Sequence, residues 1–147
     1  KSLRKEIKHK DKIVLVEDII FLFLLLTIVS STFAYSSGFS YTEIMAGRSF
    51  SMGDGEYLVL YYDSTDEDLK DIYSSLPSSY KGKEGALTIY TVNMGDALNK
   101  NIIKEESNTH PNNASELAIN GPTLIKFNNH EVVDYYEGEE SIKSVLE

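Results

Sequence analysis

The chain has 147 residues, with 14 Lys and Arg against 23 Asp and Glu, a formal net charge of −9 and no cysteine. That length suits one small domain with an appendage. The missing cysteines exclude disulfides, thiolate catalysis and thiolate metal sites from these residues, and the acidic balance argues against nucleic acid as a partner.

Residues 1–12 hold six basic side chains: Lys1, Arg4, Lys5, Lys8, Lys10 and Lys12. From Ile19 to Tyr35 the chain is uncharged and dominated by Ile, Leu, Phe and Val. Extended back to Ile13, this run reaches the roughly 20 residues that a membrane-spanning helix needs. Glu17 and Asp18 then fall near an interface, where a charge is tolerated better than at the bilayer centre. The next basic residue is Arg48, so the positive-inside rule puts the N-terminus in the cytoplasm and everything after about Tyr35 outside. A secretory signal peptide ending near Thr32-Phe33-Ala34 is the competing reading. The expected organisation is a basic tail over 1–12, a transmembrane helix over 13–35, a linker over 36–40 and an extracytoplasmic domain over 41–147. Residues 36–147 carry 8 basic and 19 acidic side chains, a balance of −11.

Tyr41–Ala46 is expected as a short helix, and Ser51–Gly55 as a turn-rich break. Tyr57-Leu58-Val59-Leu60-Tyr61-Tyr62 is a continuous apolar run, the pattern of a strand covered on both faces. Ser64-Thr65-Asp66-Glu67 has capping-box form, and Leu69, Ile72, Tyr73 and Leu76 follow at helical spacing. Pro77 is expected to end that helix. A second strand reads over Ala86–Asn93, and the short crossover makes the two strands parallel. Gly95–Lys104 has helical composition, with Ala97, Leu98 and Ile102 facing inward. Glu105–Asn113 reads as a polar loop. Thr123–Phe127 and Glu131–Tyr136 form a hairpin across an Asn128-Asn129 turn. A last helix over Glu139–Glu147 turns Ile142, Val145 and Leu146 inward.

The acidic group Asp63, Asp66, Glu67, Asp68 and Asp71 invites a cation-site reading, but its spacing does not match an EF-hand loop and helix capping explains it. His9, His110 and His130 are scattered. There is no nucleophile elbow and no phosphate-binding glycine loop. Neither a metal nor a cofactor is expected. Asn113-Ala114-Ser115 is a glycosylation sequon, relevant only on a eukaryotic secretory route.

The order strand, helix, strand, helix, strand, strand, helix resembles the thioredoxin core. The residues that carry this are the Tyr57–Tyr62 strand running into Ser64–Lys70, and Gly121-Pro122-Thr123-Leu124-Ile125 followed by Gly138. The resemblance is to membrane-anchored extracytoplasmic thioredoxin-like proteins of Gram-positive bacteria, including those that accompany bacteriocin export. It implies an α/β thioredoxin-like fold, a central mixed sheet flanked by helices, behind one N-terminal transmembrane helix. It also implies that the two redox cysteine positions are Asp66 and Leu69, so no thiol–disulfide oxidoreductase activity is expected. In the family the proline matching Pro122 is cis; a trans proline at a strand start is the alternative.

The expected role is that of a redox-inactive accessory subunit of a membrane protein complex such as a transporter or exporter. Its partner surface is expected at Asp63, Thr65, Asp66, Asn120, Gly121 and Pro122, where the helix-start loop and the loop before Pro122 meet. An integral-membrane protein is the expected partner. A peptide-binding chaperone or holdase and a cation-binding sensor domain are the alternatives.

Overall fold

The computed structural model describes residues 12–25 and 42–147. The chain divides into two units, Lys1–Ser40 and Tyr41–Glu147.

In the first unit, residues 12–25 form a helix, α1. Its eleven large apolar side chains, from Ile13 to Leu25, are all exposed. At about 1.5 Å per residue α1 is shorter than a hydrocarbon core of about 30 Å. Among the described residues no helix is long and apolar enough to cross a membrane. The expected span over 13–35 continues beyond α1 into residues outside the description.

The second unit is built on a four-stranded mixed sheet. Its elements are β1 (Glu56–Tyr62), α2 (Glu67–Lys81), β2 (Thr88–Asn93), β3 (Thr123–Asn128), β4 (Glu131–Glu137) and α3 (Glu139–Leu146). The order across the sheet is β2-β1-β3-β4. β1 runs parallel to β2 and antiparallel to β3, and β4 runs antiparallel to β3.

β1 is buried from Tyr57 to Tyr61 because it lies inside the sheet with both faces covered. Leu58 and Leu60 face the helices, meeting Tyr73, Leu76 and Tyr80 of α2 and Ile142 and Leu146 of α3. Tyr57, Val59 and Tyr61 face the other way, toward Ile44, Ala46, Ile102, Leu117 and Ile119. That second face is covered by short 3-10 turns at Ala46–Arg48, Ala97–Ile102 and Ala114–Glu116. Each fully buried Leu, Ile or Val on this scaffold contributes about 1.5–3 kcal/mol.

Four local expectations are corrected. The described part of the expected Tyr41–Ala46 helix, Thr42–Ala46, is no α-helix: Glu43 bridges Thr91 as a short parallel extension of the sheet, with Ile44 N–H donating to Thr91 O at 2.7 Å and Thr91 N–H to Thr42 O at 2.6 Å. Only Ala46–Arg48 coils, as one 3-10 turn.

Gly95–Lys104 yields a 3-10 turn over Ala97–Ile102 that leaves Leu98 74% exposed and buries Asn99 instead. The three-residue period explains the swap, since a 3-10 turn presents different side chains to the sheet than an α-helix does. Asn99 is useful there: its Oδ1 accepts Ala46 N–H at 2.9 Å and its Nδ2 donates to Asn93 O at 2.9 Å. Pro77 lies inside α2 and is buried, one turn before the helix ends at Lys81. Finally, the hairpin turns at Asn129 and His130, both at positive φ (48° and 71°), one residue later than expected.

Candidate functional site

The strand ends decide where a site can form. β1 and β2 end side by side at Tyr62 and Asn93, and β3 begins beside them at Thr123. α2 starts at the same end and runs back along the sheet, packing Tyr73, Leu76 and Tyr80 against Leu58 and Leu60 of β1. Loops and helix N-termini therefore converge where strands stop, the usual place for ligands in such sheets.

The turn between β1 and α2 is held by its own acidic residues. Asp63 Oδ1 accepts Thr65 N–H at 2.8 Å and the Thr65 hydroxyl at 2.6 Å. Asp66, not Ser64, is the N-cap of α2: its carboxylate accepts Asp68 N–H at 3.1 Å. Asp63 takes over the turn and so moves the cap two residues along the chain. From the β2 side, Asn93 Oδ1 accepts Ser64 N–H at 3.1 Å and Gly95 N–H at 2.9 Å. Gly95 passes so close that an added Cβ would lie 2.8 Å from Asp63 Oδ1.

The opposite wall is the start of β3. Gly121 sits at φ 83°, a conformation that glycine adopts without strain. Among the described residues no peptide bond is cis, so the bond before Pro122 is trans and the cis expectation falls. Gly121 makes the sharp redirection, and Pro122 follows at a strand start, where its missing N–H removes no ladder bond. Pro122 O accepts Gly138 N–H at 3.0 Å, which brings the start of α3 to this end of the sheet.

Between these walls lies a concavity of about 180 Å³ lined by Asp63, Asp66, Leu69, Tyr73, Met94, Ile103, Gly121 and Pro122. Four expected surface residues are brought together here: Asp63, Asp66, Gly121 and Pro122. Leu69, which the resemblance matches to one of the two redox cysteine positions, joins them, so Asp66 and Leu69 face one space. Thr65 and Asn120 are not lining residues. The Thr65 hydroxyl is spent on Asp63. Asn120 Nδ2 donates to Glu105 O at 2.8 Å, and its N–H to Ser107 Oγ at 3.1 Å.

Tyr73, Met94 and Ile103 are lining residues that the sequence reading did not single out. For Tyr73 a signal existed, because it lies four residues after Leu69 and shares its helix face. Met94 and Ile103 are placed by tertiary structure alone. Tyr73 is 1% exposed, and its hydroxyl has no hydrogen-bond partner. Burial raises its pKa, and the negative charges of Glu139 and Asp66 raise it further. Among the described residues no three acidic or histidine side chains converge as a metal site would require.

The crystal structure of thioredoxin f2 from Chlamydomonas reinhardtii matches this chain with a TM-score of 0.50 at 18% identity, covering 70% of this chain and 88% of that one. The chain has a thioredoxin-like α/β fold: a mixed four-stranded sheet with helices. No family model matches the sequence, and no curated protein does. The fold is present with no cysteine anywhere in the 147 residues, so its own side chains provide no thiolate for disulfide exchange.

Proposed function

We propose that this thioredoxin-like domain is a redox-inactive interaction module, held at the cell membrane by residues 13–35 and serving as an accessory subunit of a membrane protein complex such as an exporter. The observation that carries this is the retained concavity. The end of the sheet that hosts thiols in redox members keeps its hollow, while Asp66 and Leu69 stand at the two thiol positions. A groove of this shape without a nucleophile is suited to holding a partner.

The N-terminal sequence supports the membrane part. Six basic residues precede the apolar run, and the apolar side chains of α1 are exposed along its length. By the positive-inside rule, Lys1–Lys12 lie in the cytoplasm and the domain lies outside.

Affinity purification of the full chain from mildly detergent-solubilised membranes, followed by mass spectrometry, tests the reading. An integral-membrane protein recovered at fixed ratio is the expected result. A broad set of unfolded chains recovered at low, variable ratio would instead make the protein a holdase.

A further inference from the structure

Asparagine is thermolabile where the next backbone nitrogen can reach its side-chain amide. Glycine as that next residue obstructs the approach least, having no Cβ. Asn120 is the one asparagine of the chain that precedes glycine. It is exposed, Gly121 is half-buried, and the Gly121 N–H has no hydrogen-bond partner among the described residues. A Cβ added at Gly121 would meet nothing within 4 Å, so that side is open. Asn120 is also a fastener. Its Nδ2 donates to Glu105 O at 2.8 Å and its N–H to Ser107 Oγ at 3.1 Å. The same junction carries Lys104 N–H to Ile119 O at 3.0 Å and Asn108 N–H to Ala118 O at 2.9 Å.

We propose that Asn120 is a site of self-modification: the Gly121 nitrogen displaces the Asn120 side-chain nitrogen, the residue ends as aspartate or isoaspartate, and the Glu105–Ser107 loop is thereby unfastened from the start of β3. This goes beyond the accessory-subunit reading and does not depend on it.

Gly121 N gives up its proton to hydroxide and forms a bond to Asn120 Cγ. The Cγ–Nδ2 bond breaks, and Nδ2 leaves as ammonia with a proton from water. The product is a five-membered cyclic imide. Water then opens the ring: attack at Cγ leaves aspartate, and attack at the main-chain carbonyl leaves isoaspartate. Water is the co-reactant, and nothing is oxidised or reduced. Neither product can fasten the loop as before. Where Nδ2–H met Glu105 O, a carboxylate oxygen now faces a carbonyl oxygen, two acceptors with no proton between them. Isoaspartate also adds one carbon to the main chain between Gly121 and Ile119, which is bonded to Ile102 and Lys104.

The test is incubation of the folded full chain in detergent micelles at neutral and mildly alkaline pH, followed by peptide mass mapping. Asn120 should convert before every other asparagine, and faster at the higher pH, because the Gly121 nitrogen must lose its proton. Both aspartate and isoaspartate should form, and water enriched in heavy oxygen should label the residue. An intact Asn120 in a sample where another asparagine has converted would overturn the proposal. So would aspartate formed without isoaspartate, which is direct hydrolysis. Hydrogen exchange tests the unfastening, on the converted chain separated by its added negative charge and on Asn120→Asp. In both, the Lys104 and Asn108 amides should exchange about tenfold faster than in the unconverted chain, while Leu60 and Ile125 in the sheet stay unchanged. Unchanged exchange at Lys104 and Asn108 in both samples would overturn the unfastening.

Discussion

Single atoms set the terms at the concavity. The Tyr73 hydroxyl is a destabilising feature of the isolated domain, since a buried donor without a partner costs about 1–3 kcal/mol. Tyr73→Phe should therefore raise stability by about 1 kcal/mol, measured as a higher urea midpoint at unchanged slope. An unchanged or lower midpoint would mean that the hydroxyl is satisfied in solution. Gly95 is the converse case. A methyl group at this position would press on Asp63 Oδ1, Asn93 Oδ1 and Ser64 Oγ at once. Two of those oxygens are already fixed by hydrogen bonds, Asp63 to Thr65 and Asn93 to Ser64 and Gly95. Gly95→Ala should destabilise by about 1–2 kcal/mol, and its NMR shifts should change at Asp63 and Ser64 more than in the sheet.

The resemblance matches the two redox cysteine positions to Asp66 and Leu69, both in the first turn of α2. Asp66 at the cap and Leu69 one turn on both line the concavity. The double change Asp66→Cys, Leu69→Cys should form an intramolecular disulfide under mild oxidation, detected as loss of two free thiols by mass; two persistently free thiols would show that the spacing is wrong. Asp66→Ala should cost about 1 kcal/mol through the lost cap, and Asp66→Asn much less. How much of this element was legible is instructive. Its existence and inward face followed from Leu69, Ile72, Tyr73 and Leu76 at helical spacing, because an amphipathic stripe is a local property. Its first residue did not, because Ser64 and Asp66 are both competent caps and the choice depends on Asp63 bonding Thr65. Pro77 was misread as a terminator because burial against the sheet outweighs one missing backbone bond, and burial is not written locally. The 3-10 turn at Ala97–Ile102 was harder still. Composition favoured an α-helix with Leu98 inside, whereas the buried position belongs to Asn99, whose two hydrogen bonds join segments far apart in sequence. The site followed the same division: Asp63, Asp66, Gly121 and Pro122 were legible from turn and strand-start chemistry, while Met94 and Ile103 required the assembled sheet.

At the scale of the molecule, buried phenols tie stability to alkaline pH. Burial raises the pKa of Tyr57, Tyr61 and Tyr73 above the ordinary 10.0. Each remains protonated when folded under conditions where the unfolded chain ionises. Their contribution is therefore complete below pH 10 and is lost as pH rises from there toward the raised values. Urea midpoints should be flat from pH 7 to 9 and fall by pH 11, and Tyr61→Phe should blunt the fall; a flat profile to pH 11 would contradict this. Topology has its own check: protease added to intact cells should digest the domain and spare Lys1–Lys12. The way the chain joins the sheet has a mechanical consequence. Thr42–Ile44 lies along the sheet edge on two backbone bonds to Thr91, and Asn99 grips Ala46 just behind it. A pull on residue 42 loads those three bonds first, and only then the buried Ser49, which the Tyr57 and Tyr61 hydroxyls hold at 2.8 and 2.7 Å. The domain is thus fitted with a sacrificial seam: under tension a short strap should peel away and lengthen the tether while the sheet, the helices and the concavity stay folded.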